Sequence, residues 1–146
     1  MKKRFQNCMD RVSQLEGFPL FTGGVDESVV DQEEERLGLP IAGSYREFIL
    51  RFGSQQDEGF IGIDRLYGGS VAQQCAKFWK KGLPKTHIHV FFKDTTCYSL
   101  NTEEPSGNGE FIVYHSNWIS PEGPFTNVAN SFGELFAKYF GIAKNW

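Results

Sequence analysis

The spacing of apolar residues changes period along this chain, and that change limits the folds open to it. Up to residue 52 the apolar positions recur every three or four residues, the repeat of helices buried along one face. Phe5, Met9, Val12 and Leu15 mark a first helix over about 4–15, which Gly17-Phe18-Pro19 ends because proline cannot continue a helix. Val25, Val29, Val30 and Leu37 mark a second over about 26–37, with Asp26 as N-cap and Gly38 as its left-handed stop. Ser44-Tyr45-Arg46-Glu47 has the form of a capping box, and Tyr45, Phe48, Ile49 and Phe52 follow on one face. The middle then reads as strands. These are Phe60–Asp64, His87–Phe92 and Thr96–Leu100 around a Lys93-Asp94-Thr95 turn, and Phe111–Tyr114 after the turn at 105–109. Val71, Cys75, Phe78 and Trp79 predict a helix over 70–81 between the first two strands. Val128, Phe132, Leu135, Phe136 and Tyr139 predict a closing helix capped by Thr126 or Asn127. Helices, then strands, then a helix is the α+β order, and 146 residues is the length of a single domain.

Composition removes several classes. Fifteen basic against 18 acidic residues leave a net charge of −3, so the chain as a whole lacks the basic footprint of a nucleic-acid binder. No apolar run is long enough to span a bilayer, and Lys2-Lys3-Arg4 is not followed by a secretory apolar stretch. Cys8, Cys75 and Cys97 are odd in number and widely spaced, which suits free thiols in a reducing cytoplasm rather than a disulfide framework or zinc knuckle. The 14 Phe, 5 Tyr and 3 Trp point to a large aromatic core, or to a core plus an aromatic surface.

Enzyme motifs are nearly absent. There is no Walker loop, GxGxxG, GxSxG or HExxH. His87 and His89 fall on one strand face, and His115 ends a second strand, so a three-histidine metal site is one reading. Structural or surface histidines are the other, and no metal ligand or cofactor is assigned. Cys97 sits in an apolar strand, where a buried thiol has a raised pKa and is inert.

The run 26–35 holds six carboxylates and no basic residue: Asp26, Glu27, Asp31, Glu33, Glu34 and Glu35. It is either a solvated helix face or an electrostatic landing surface for a basic partner. Asp26, Glu27, Asp31, Glu34 and Glu35 are the first candidates for binding, with Asp57 and Glu58 extending the patch. The hairpin offers a second surface. Alternation places Ile88, Val90 and Phe92 on the core face, and His87, His89, Phe91 and Lys93 on the other. Phe91 beside Tyr98 would make an aromatic binding face, unless a helix or loop covers it. Trp118, at the root of a Pro- and Gly-containing loop, is either an anchor or a partner contact. Trp146 is the last residue, where order is usually poor.

The order of these pieces resembles the SUKH superfamily. An acidic helix ends in Leu37-Gly38-Leu39-Pro40 and leads to Tyr45, Arg46, Glu47, Phe48 and Ile49, then to Phe52-Gly53. A Gly-rich strand follows at Gly59–Ile63, then Tyr98-Ser99-Leu100 and the closing Val128–Leu135 segment. The likeness spans about 25–140. A longer stretch before Tyr45 and the polar loop Ser54–Glu58 depart from the family's pattern. The resemblance implies a central antiparallel sheet packed by helices and a non-enzymatic, cytoplasmic binding module. Its bacterial members are mostly immunity proteins that bind and neutralise a polymorphic toxin domain, often a nuclease or deaminase. The expected partner is therefore a basic toxin domain, with no direct nucleic acid or membrane contact, and with the chain as a monomer or weak homodimer. A regulatory scaffold of the cell-wall-synthesis regulator type is the alternative, and a histidine-based metal-binding domain or enzyme a further one.

Overall fold

One glycine and an extended N-cap residue set the limits of the acidic helix where the sequence predicts them, although the Asp26 side chain makes no capping bond. Helix α2 (Glu27–Leu37) follows extended Asp26 and ends at Gly38, whose φ of 76° is the left-handed stop. The computed structural model describes residues 2–15, 21–55, 59–66 and 68–142. Asp57, Glu58 and Trp146, all singled out above, lie outside the described residues. The other helices are α1 (Lys2–Ser13), α3 (Gly43–Phe52), α4 (Val71–Lys80) and α5 (Phe132–Tyr139). The strands are β1 (Gly59–Phe60), β2 (His87–Lys93), β3 (Thr96–Gly107), β4 (Glu110–Asn117) and β5 (Thr126–Ala129). They form one antiparallel sheet in the order β1-β2-β3-β4-β5, so the fold is α+β.

Much of the Phe content goes into the core between the helices and one sheet face. Phe48 packs on Phe132 at 5.3 Å, Phe60 on Phe136 at 5.2 Å, and Phe5 of α1 on Phe136 at 5.5 Å. Tilted and edge-on pairs of this kind add to the burial of large apolar area. Tyr45 is 1% exposed, and its hydroxyl is satisfied by donating to the Ile61 carbonyl at 2.6 Å. Gly62 lets the chain after β1 press on the end of α3, because a Cβ there would lie 1.8 Å from the Gly53 carbonyl oxygen.

Four expectations are corrected. Ser44 does not cap α3. The N-cap is Ala42, without a side-chain cap bond, and Glu110 of β4 takes that role by accepting from the Ser44 N–H at 2.7 Å. The Ser44 hydroxyl donates to the same carboxylate at 2.7 Å and accepts from the Gly133 N–H at 2.7 Å, so one serine ties α3, β4 and the start of α5 together. Gly43, at φ 62°, permits this contact, since a Cβ would lie 2.6 Å from the Gly109 carbonyl.

The closing helix starts later than its apolar spacing suggests. Ser131 is its cap, accepting from the Glu134 N–H, and Val128 belongs to β5 paired with β4. The first strand pairs only through Gly59 and Phe60, and β3 runs on to Gly107 through the stretch read as a turn. Asn108 and Gly109, both at positive φ, make the actual reversal.

The fourth correction concerns the hairpin. The β2–β3 register slips between His89 and Phe91, leaving Val90 as an extra residue. One inserted residue reverses the face of everything after it. Phe91 therefore turns into the main core with Ile88 and Val90, 2% exposed, and Phe92 goes to the opposite face. There Phe92 joins Phe78, Leu83, Cys97, Trp79, Trp118 and Phe125 in a second apolar cluster, so α4 and the loop after β4 cover this face. Phe91 is thus no surface contact.

Candidate functional site

Two regions carry concentrated polar chemistry: the acidic helix and a cleft beside α4. On α2 the carboxylates divide by turn. Glu33 is 3% exposed, and its Oε1 accepts from the Ala72 N–H at 2.9 Å, capping the N-terminus of α4. Glu34 is half-buried, accepting from the Ile41 N–H at 2.6 Å. Glu27 and Asp31, one turn apart, both pair with Arg46 of α3, at 2.5 and 2.7 Å. The Arg46 side chain is 20% exposed while those of Glu27 and Asp31 are 67% and 65% exposed. Arg46 therefore lies beneath the pair and fixes it in place, and the attraction lifts the arginine pKa further despite a smaller solvation than in water. Asp26 and Glu35 are exposed at either end of the same helix. Of the residues first proposed for binding, Asp26, Glu27, Asp31 and Glu35 form the outward surface, and Glu34 faces partly into the fold.

Tyr98 is half-buried on the core face, edge-on to Phe91 at 5.1 Å and stacked on His115 at 5.8 Å. Trp118 is half-buried on the opposite face, its ring 6.4 Å from Phe92 and 4.6 Å beneath the Lys81 ammonium. The loop root anchors on the second cluster, as one of the two readings of Trp118 expected.

The three histidines do not converge. His87 and His89 share a face, but His115 is on the other, beside Tyr98. Among the described residues no three His, Cys, Asp or Glu side chains are grouped to hold a metal ion. His87 bonds Ser99 Oγ through Nδ1 at 2.8 Å, and burial lowers its pKa. Cys97 is buried beside Ser116 Oγ at 3.2 Å, and burial raises its thiol pKa. Cys75 is pushed up to about 12 and Cys8 to about 11, both by burial first. Neutral buried thiols of this kind are poor nucleophiles.

The cleft beside α4 was not foreseen from the sequence. It encloses about 380 Å3, within the usual range for small-molecule sites. One face of α4 forms a wall, with Ser70, Gln74, Lys77 and Lys81 spaced to look the same way. The residues around β1 form the facing wall, and Trp118 closes one side. His89 lies beneath the cleft, fully buried, its ring tilted against Phe78 with centroids 3.9 Å apart and its backbone N–H donating to Cys75 Sγ. Both ring nitrogens lack a hydrogen-bond partner, the only such buried side-chain atoms among the described residues. Burial, then the charges of Lys77 and Lys81, hold the His89 pKa down to about 3, so the ring is neutral. The sequence signal for this site was the i, i+4 pair Lys77 and Lys81 on the strongly apolar-faced α4. Alternation already places His89 on the strand face away from Ile88, but that α4 covers this face could not be read from the sequence.

Among the described residues no helix is long and apolar enough to cross a membrane. Neither protein-family models nor curated proteins give a match to this chain. A solved structure described as "Crystal structure of protein from Pseudomonas syringae pv. tomato" is similar over 91% of this chain and 95% of its own, at 16% identity and a TM-score of 0.59. That likeness establishes a shared α+β fold.

Proposed function

We propose that this protein is a non-enzymatic binding module of the immunity type, which neutralises a toxin domain by covering its basic functional surface. The observation that carries this reading is the outward face of α2. Asp26, Glu27, Asp31 and Glu35 stand exposed along one helix, and Arg46 fixes the middle pair from below. Charges held in place need less ordering on binding than free side chains do. A fixed negative surface steers a basic partner and rejects acidic ones. Nuclease and deaminase domains present basic surfaces to their phosphate-bearing substrates, and a row of carboxylates can occupy that surface in the phosphates' place. The ordered likeness of residues 25–140 to the SUKH superfamily points the same way, and a cytoplasmic location would follow from that role.

The test is affinity capture from an extract of the source organism. The wild-type protein is run against the variant Asp26→Lys, Asp31→Lys, Glu35→Lys, with circular dichroism to show that both are folded. Recovery of one partner with a basic toxin-like domain by the wild type, and its loss from the variant, is the expected result. Equal recovery by both proteins would remove the α2 face from the account. Recovery of wall-synthesis or signalling proteins would favour the regulatory scaffold.

A further inference from the structure

We propose that the exposed ridge of α4, with the cleft beside it, binds single-stranded nucleic acid, the lysines of the ridge holding successive phosphates and the aromatic wall of the cleft receiving a base. This surface is separate from the α2 face and does not depend on it.

The net charge of −3 conceals a segregation of sign along the chain. Between Asp64 and Asp94 stand six basic residues and no carboxylate: Arg65, Lys77, Lys80, Lys81, Lys85 and Lys93. All six are exposed. The packing of α4 aligns three of them. Val71, Cys75 and Phe78 are its buried stripe. At about 100° of rotation per residue, Lys77, Lys80 and Lys81 share one arc on the opposite side. Among the described residues none of these three lysines forms an ion pair. Two carboxylates border the surface. Asp64, on the far wall of the cleft, accepts from the Leu66 N–H through Oδ1, and exposed Glu122 stands beside Gly82. The three ammonium groups outnumber them, and the ridge favours an anionic partner.

Spacing and rings select the kind of anion. Lys77 and Lys81 project from successive turns with Cβ atoms about 5–6 Å apart, close to the separation of neighbouring phosphates in an extended strand. The Lys81 ammonium rests on rings, 4.6 Å from Trp118 and 5.2 Å from Phe78. Such a contact at an exposed position is worth about 0.5–1 kcal/mol, so a phosphate takes the ammonium without having to break an ion pair. Trp118 and Phe92 line the cleft behind it, whose volume of about 380 Å3 admits one base. A row of cations beside aromatic rings binds single strands with little dependence on sequence. An acidic peptide would engage the lysines and has no need of the ring wall.

The experiment is fluorescence anisotropy of a labelled ten-nucleotide oligothymidylate with the full chain at about 50 and 200 mM salt. An abasic strand of the same length carries the phosphates without the bases, and polyglutamate carries negative charge on a peptide. Three phosphate contacts on a single strand should weaken binding about 20-fold between the two salt concentrations. The oligothymidylate should bind at least about fivefold more tightly than the abasic strand, the low end of what one stacked base contributes. Lys77→Gln with Lys81→Gln, at exposed positions that the core does not need, should reduce the salt effect to about threefold, with circular dichroism showing that the variant is folded. No binding at the lower salt concentration would overturn the proposal, as would unchanged binding by the lysine double variant. Equal binding of the abasic strand would remove the base from the cleft and overturn it too. Polyglutamate binding as tightly as the oligothymidylate would assign the ridge to an acidic protein instead.

Discussion

Replacing His89 with leucine should remove a defined part of the protein's sensitivity to acid. In the folded protein the His89 ring is fully buried, and its pKa is held down to about 3 from an ordinary 6.5. A folded-state pKa below the unfolded one means that the unfolded chain binds more protons between those values. The resulting stability is fully present above pH 6.5 and is lost as pH falls from there toward 3. Each unit is about 1.4 kcal/mol, so going from pH 7 to pH 5 should cost the wild type roughly 2 kcal/mol through this one ring. His87, also lowered by burial, titrates in the same direction, but it is common to both proteins and cancels in the comparison. At pH 7 the leucine variant should be no less stable than wild type. It removes two unpaired buried polar atoms, each a burden of about 1–3 kcal/mol, which offsets the loss of the ring contact with Phe78. Urea unfolding at pH 7 and pH 5 measures both quantities. Equal losses between the two pH values in wild type and variant would refute the assignment of a buried neutral ring.

Further outcomes follow from the carboxylate and serine contacts. Glu33→Ala leaves the Ala72 N–H at the start of α4 without its acceptor and should cost about 1–3 kcal/mol, read as a lower melting temperature. Ser44→Ala breaks the link from Glu110 to the Gly133 N–H and should cost a similar amount, about 1–3 kcal/mol, by urea unfolding. Arg46→Ala should cost only about 0–1 kcal/mol of stability, because its partners are exposed, yet it should weaken capture of the partner by loosening Glu27 and Asp31. All three cysteines should resist a thiol reagent in the native state and react together in denaturant, since each is buried and Cys75 is pushed up to about 12. Rapid native labelling of Cys75 would contradict the packing of α4 on β2.

Features written in local sequence were legible in advance, and those that depend on distant pairing were not. Gly38 ends α2 because a left-handed residue is needed there, so that boundary could be set from neighbouring residues alone. Ser44 misled because its hydroxyl and Glu47 have the form of a capping box, whereas the carboxylate that serves α3 comes from Glu110, far along the chain. Val128 matches a helical stripe with Phe132 and Leu135, yet it lies in a strand between Asn127 and Ala129, which pair with β4. The largest error came from Val90. No residue type marks a bulge there, and one inserted residue sent Phe91 into the core and left His89 and Phe92 on the face covered by α4. The acidic run was visible as composition. Which carboxylates face outward was not, since Glu33 is consumed by α4 and Glu34 by the backbone of Ile41.

The central claim is that the outward face of α2 receives a basic partner. Hydrogen–deuterium exchange of the protein alone and in complex with the captured partner tests it most directly. Slowed exchange is expected across residues 26–35 and at the start of α3 around Arg46, with the effect diminishing as salt is raised. Slowed exchange confined to other elements, with α2 unchanged at every salt concentration, would contradict it.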